Sequence, residues 1–316
     1  MAASLSSGPI LRSMKIVIAG GSGFLGTPLT RALADDGHDV CVLTRQTRTA
    51  KPDQRVTYVP WTPNGESGPW AAAVNGAAAV VNLSGESIAD KRWSAAQKQK
   101  LRESRLLATR SLTTAIRESA SAPGVLVSGS AVGYYGDRGE ETLTETSAPG
   151  SDFLAGLAQE WEAAAGEIAH ITRVALIRTG IVLDRRGGAL PKMLPPFLVF
   201  AGGPLGNGAQ YLSWIHKEDW VRLVAWTITT EGARGPINAT SPRPVTNRDF
   251  STALGTALHR PSVLPAPAFA LRLALGEMAD ALLLSGQRAL PVRATDLGFV
   301  FRYTNIDEAL ADIFRT

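Results

Sequence analysis

The chain of 316 residues contains one cysteine and four histidines, and neither type is clustered. Cys41 alone cannot close an internal disulfide or build a thiolate-rich metal site. His38, His170, His216 and His259 show neither H-E-x-x-H nor i,i+4 spacing, so metal catalysis is disfavoured. Long apolar runs are also missing: the longest candidate, Val263 to Gly276, is broken by Pro265, Pro267 and Arg272, whereas a bilayer span needs about 18 residues. Charge of one sign is scarce, because 32 basic and 28 acidic residues leave +4, and the basic residues are dispersed instead of forming a nucleic-acid-binding block. These absences predict a soluble protein, with no nucleic acid and no membrane as partner; a homodimer stays open. Residues 1–13, rich in Ser and Ala, have neither the basic start nor the apolar stretch of a signal peptide. They read as a disordered extension, and the cytoplasm is the default address.

The residues that are present alternate in a regular way. Short, fully apolar runs at Ile16–Ala19, Val40–Leu43, Val56–Val59, Ala78–Leu83, Val125–Ser128, Val174–Arg178 and Ile237–Ala239 are separated by helical stretches, notably Ser94–Glu118 and Asp152–Ile168. Apolar runs of this kind predict parallel strands buried on both faces, hence an α/β fold with a Rossmann-type doubly wound sheet. After Gly180 the texture becomes rich in Gly and Pro, and helices follow at Lys217–Thr229, Thr246–Leu258, Phe269–Leu284 and Asn305–Phe314. The expected organisation is a nucleotide-binding domain over 14–180, completed by segments after 210, and a smaller substrate lobe formed mainly by 181–316.

The first predicted strand runs into Gly20-Gly21-Ser22-Gly23-Phe24-Leu25-Gly26, which fits both G-x-G-x-x-G and G-x-x-G-x-x-G. Glycines at this spacing permit a tight turn, close approach of a pyrophosphate to the backbone, and close packing of helix on strand. The amides at the helix start then hold the anion. An NAD site would place a carboxylate at the end of the second strand, but that strand ends Leu43-Thr44-Arg45-Gln46, with no carboxylate before Asp53. The planar guanidinium of Arg45, helped by the Ser22 hydroxyl, suits a 2′-phosphate instead. The expected cofactor is therefore NADP(H).

With Val81-Asn82-Leu83-Ser84-Gly85-Glu86, Glu103-Ser104-Arg105, Val127–Gly136, Arg178–Leu183, Trp214–Asp219 and Gly286–Pro291, these segments resemble the extended short-chain dehydrogenase/reductases of the NAD(P)-dependent epimerase/dehydratase superfamily. The closest resemblance is to an atypical epimerase-family branch with a C-terminal domain of unknown function. The resemblance implies that Asn82, Leu83, Ser84, Gly85 and Glu86 lie along the ribose and pyrophosphate, with Arg105 and Ser128 also near the cofactor, and it points to Lys100 as well. It further implies an oxidoreductase or epimerase acting on a small substrate, sugar-nucleotide-like in the family's pattern.

One feature of that family is absent. Ordinary members carry Y-x-x-x-K on the helix after the fifth strand, where the lysine lowers the tyrosine pKa for proton transfer. Here the helix reads Asp152-Phe153-Leu154-Ala155-Gly156-Leu157-Ala158-Gln159-Glu160-Trp161-Glu162, with neither Tyr nor Lys. The candidate catalytic residues are therefore Ser130, Tyr135 (or Tyr134) and His216, with Arg178 and Gly202-Gly203-Pro204 shaping the pocket and Arg288 binding an anionic group. A non-catalytic NADP(H)-binding sensor or regulatory protein is the alternative.

Overall fold

The computed structural model describes residues 13–45 and 55–315; nearly all of the expected N-terminal extension, and Gln46 and Asp53 beyond the second strand, lie outside them. Seven strands form the main sheet: β1 (Lys15–Ala19), β2 (Asp39–Thr44), β3 (Val56–Pro60), β4 (Ala79–Asn82), β5 (Val125–Ala131), β6 (Arg173–Thr179) and β7 (Gly235–Ala239). All pair in parallel, in the order β3-β2-β1-β4-β5-β6-β7. The chain winds outward from β1 to β3 and then crosses to β4 on the other side. A crevice therefore opens beyond the carboxyl ends of β1 and β4, the place where ligands bind in folds of this kind.

Alternation along each strand divides the core between the two faces. Ile16, Ile18, Val40, Val42 and Val127 pack with Leu29 and Leu33 of α1 (Gly26–Asp35). Val17, Ala19, Cys41, Leu43 and Leu126 pack on the opposite face with Leu112 and Ile116 of α2 (Ala95–Glu118). Each aliphatic side chain fully withdrawn from water contributes about 1.5–3 kcal/mol, so a sheet covered on both sides has every reason to be apolar throughout. Burial also pushes the Cys41 thiol pKa up, leaving it unreactive at neutral pH. Two caps set helix starts on this scaffold: Gln97 N donates to Ser94 Oγ at α2, and Ala155 N donates to Asp152 Oδ1 at α3 (Phe153–Gly166).

After β6 the chain leaves the sheet. A second core forms from Leu190 and Phe197 of α4 (Leu190–Leu198), Trp214, Phe250 and Leu254 of α6 (Asn247–Leu258), and Ile306 and Leu310 of the helix Ile306–Phe314. Residues between these segments return to the sheet: α5 (Lys217–Thr229) buries Trp220, Leu223 and Val224 against it, and β7 extends its edge. Two local outcomes differ from the sequence reading. The Pro-rich segment around Pro195-Pro196 is helical, and α4 stops two residues later, after those prolines forfeit two backbone bonds. The single helix expected over Phe269–Leu284 is divided by Gly276, at φ 63°, into α7 (Ala268–Leu275) and two short turns of helix. Among the described residues no helix is long and apolar enough to cross a membrane.

Candidate functional site

At the carboxyl end of β1 the backbone itself makes the site. Gly20 has φ 80°, and a Cβ there would lie 2.8 Å from the carbonyl carbon of Leu83, so the glycine loop and the turn after β4 touch through bare backbone. A Cβ at Gly26 would collide with Gly20 O, and only glycine lets α1 start so close to the strand. Gly23 is exposed and differs from these: a Cβ there would meet Gly20 O at 3.3 Å and nothing else. The amides of Gly23 and Thr27 are spent on Gly20 O and Gly23 O. Helix α1 has no side-chain N-cap; Thr27 N and Leu29 N are bonded to backbone and Pro28 has no N–H, so what the helix start offers an anion is the positive end of its dipole. Loop, cradle and uncapped helix together fit a dinucleotide pyrophosphate. Phe24 and Leu25 are available to it only through their backbones, because the Phe24 ring lies against Gly187 and Gly188 while Leu25 packs on the core. A cavity of about 810 Å³ adjoins the loop on its α1 side, lined by Ser22, Phe24, Arg31, Tyr58, Asp184 and Lys217.

The turn after β4 is held from below. Buried Asn82 donates to Thr109 Oγ1 (2.9 Å) and accepts from Ser84 N (3.1 Å), while Trp161 Nε1 donates to the same Thr109 oxygen (3.0 Å). Arg105 reaches back from α2 to Glu86 O (3.0 Å) and Leu101 O (2.9 Å), beside Gly85 and over the Trp161 ring. Burial lowers its pKa to about 10 against the opposing charge of Glu86, and at neutral pH it remains a cation next to the turn. Ser128 is fully buried on β5, in register with Asn82. At the end of β2, Thr44 is buried and Arg45 is exposed. Lys100 is exposed on α2.

Beyond β5 the site is made of side chains. Ser130 Oγ donates to Glu162 Oε1 (2.6 Å), and Arg178 grips both oxygens of Glu162 at 2.8 Å. Arg178 also donates to the Tyr135 hydroxyl (3.0 Å), which in turn donates to Asn238 Oδ1 (2.7 Å). Glu145 accepts from Asn238 N (3.0 Å) and Arg293 N (3.2 Å), completing a buried chain of polar groups across β5, β6, β7 and α3. Burial alone would lower the Arg178 pKa, but the bidentate bond and the charge of Glu162 raise it overall. Tyr134 lies with its ring 3.4 Å from the Arg178 guanidinium carbon and keeps partial access to solvent.

Two of the candidate catalytic residues take different places from those expected. Tyr135 is fully buried, with its hydroxyl engaged twice, and burial raises its pKa against the pull of Arg178. His216 caps α5, its Nδ1 accepting from Glu218 N (3.2 Å), with its ring against Tyr303 and Nε2 3.6 Å from Asp312. Desolvation lowers its pKa, only partly opposed by Asp312 and Asp219, and none of these partners is among the residues bonded to Ser130, Glu162 or Arg178. Arg288 stacks on Tyr211, Gly202 bridges to Ser262, and Gly203 packs against the backbone of Leu264. Sequence reasoning passed over Glu162, although a signal was there: Ala155, Ala158, Glu162 and Ala165 share one buried stripe of α3, and a carboxylate in an apolar stripe requires a partner.

Sheet order, glycine loop and uncapped α1 define a Rossmann-type dinucleotide-binding protein. Residues 16–239 match the model of the NAD dependent epimerase/dehydratase family, and the chain belongs to that family. Residues 266–313 match a domain of unknown function, DUF1731. The chain is 42% identical over 304 residues to the Epimerase family protein SDR39U1 homolog, chloroplastic, of Arabidopsis thaliana, covering 96% of this chain and 87% of that protein. It is 39% identical over 305 residues to the Epimerase family protein YfhF of Bacillus subtilis, covering 95% and 98%. The crystal structure of human epimerase family protein SDR39U1 (isoform 2) with NADPH superposes with a TM-score of 0.85 at 31% identity, covering 95% of this chain and 99% of that one.

Proposed function

We propose that the chain is an NADP(H)-dependent oxidoreductase of the epimerase family, acting on a small substrate, sugar-nucleotide-like in class, held between the sheet and the second lobe. The observation that carries this reading is the end of β2, where exposed Arg45 follows Thr44 at the position an NAD site gives to a carboxylate. The human relative crystallised with NADPH supports the same choice. The glycine-loop amides would hold the pyrophosphate, Arg45 and the Ser22 hydroxyl the 2′-phosphate, and the turn 82–86 the ribose. Bound there, the dinucleotide supplies or accepts hydride. The protein supplies the proton, and Tyr134 takes the role first read for Tyr135 because it is the phenol of the pair that solvent reaches; Ser130, oriented by Glu162, helps to orient the reacting oxygen.

A second reading, a redox sensor that binds NADP(H) without turnover, draws on the same network: the hydroxyls of Ser130 and Tyr135 are both spent inside the protein. Calorimetry and a substrate screen separate the two. NADPH should bind more tightly than NADH, and Arg45→Ala should remove about 1.5–3 kcal/mol of NADPH affinity with little effect on NADH. In a screen of carbonyl metabolites, Tyr134→Phe should slow NADPH oxidation by about 10²-fold or more. Equal affinities for the two cofactors would remove the 2′-phosphate assignment. Tight binding with no oxidation of NADPH by any metabolite would favour the sensor.

A further inference from the structure

Exposed apolar side chains are concentrated on one part of the second lobe. Leu198, Val199 and Phe200, at the end of α4, are 55%, 72% and 59% exposed, and Val263 and Leu264 are 73% and 54% exposed. These two groups are neighbours: Leu264 N donates to Gly202 O (3.0 Å), Gly202 pairs with Ser262, and Arg260 lies over the Phe200 ring. The strand-like run continues through the Leu205–Ala266 pairing into α7, which begins immediately after Pro267. Helix α7 reads AFALRLAL, yet none of its residues is buried, and Phe269 and Leu273 are 73% and 79% exposed.

An eight-residue helix has little stability of its own, so an apolar one left in water requires something to cover it. The outer surfaces of α2 and α3 do not share this character; they carry the ion pairs Arg102–Glu160 and Arg117–Glu167.

We propose that this face, from the end of α4 through residues 263–264 to α7, is the contact between two copies of the chain. Area and charge both select a second copy. The seven side chains expose on the order of 900 Å² together, close to the roughly 800 Å² per partner that a standard interface removes from water. The only charge on α7, Arg272, is already paired with Asp280. Two such faces can therefore meet about a two-fold axis with little like-charge repulsion from α7, as a self-complementary contact requires. A helix that lies on a membrane surface carries instead a strongly charged face rich in Lys and Arg, which α7 lacks.

Sedimentation velocity on the purified full chain tests the proposal. The wild type should sediment as a dimer, at twice the 33.4 kDa chain mass. Phe269→Glu combined with Leu273→Glu should raise the dimer dissociation constant at least about 100-fold with an unchanged far-UV spectrum, since both side chains are already in water in the single copy. Arg102→Glu, on the outer surface of α2, should leave the dimer intact. A wild type that stays monomeric at about 100 μM overturns the proposal, as does a dimer that survives the double substitution. A monomer that floats with phosphatidylcholine–phosphatidylglycerol vesicles overturns it in favour of a lipid surface.

Discussion

The ends of β1 and β5 lie two strands apart on the same side of one sheet, and they are built from different materials. At β1 the working surface is backbone, left bare because Gly20, Gly23 and Gly26 carry no side chains. At β5 the working groups are side chains, and most of their polar atoms are turned inward: Ser130 to Glu162, Glu162 to Arg178, Arg178 to Tyr135, and Tyr135 to Asn238. The first end can bind a ligand without reorganising. The second spends its polar atoms on stability and leaves Tyr134 at the margin. A binding site made from backbone thus places little demand on the core, whereas one made from buried charges becomes part of the core.

Breaking the β5 end should have the largest effect. Arg178→Met would leave the Glu162 carboxylate buried without its cation, a loss of about 3–5 kcal/mol that urea unfolding would measure. If stability were unchanged, the network would not be part of the core, and the contrast between the two ends would fail. The β1 end should behave in the opposite way. Gly23→Val puts a branched side chain where Gly20 O is the only near neighbour, so NADPH affinity should fall at least about 100-fold while the melting temperature stays within a few degrees. A variant that unfolds would show that the loop supports the fold after all.

The smallest effect concerns His216, which belongs to neither end. Its pKa is lower in the folded protein than the ordinary 6.5, so the unfolded chain takes up its proton first as pH falls. Stability from this group is therefore complete above pH 6.5 and declines as pH drops below it, until the folded state is protonated too. His216→Asn, which keeps a capping side chain, should flatten the stability profile in that window and leave NADPH binding unaltered. A steep loss of NADPH binding instead would place His216 beside the cofactor.

The strands were legible because residues buried on both faces of a parallel sheet must be apolar at consecutive positions, as in Ile16–Ala19. The glycine loop was legible because glycine is the one residue whose absence of a side chain can be read directly. The surroundings of Tyr135 and His216 were not legible. Both are polar aromatic residues near family-like segments, and nothing local says what they bond to: the partner of the Tyr135 hydroxyl, Asn238, lies 103 positions away, and His216 meets Tyr303 and Asp312. Glu162 was half legible, since its buried stripe announced that it had a partner but did not say which.

The sequence alone determined the doubly wound sheet, the placement of the phosphate loop at its first turn, and the lack of the Tyr–Lys pair. Each of these depends on local spacing and residue type. The tertiary structure decided which polar groups are spent inside the protein, that Gly276 cuts the last apolar helix short, and that none of the described residues covers α7. Those outcomes depend on contacts between residues far apart in the chain, and hydrophobic periodicity specifies that a face is apolar without specifying what covers it.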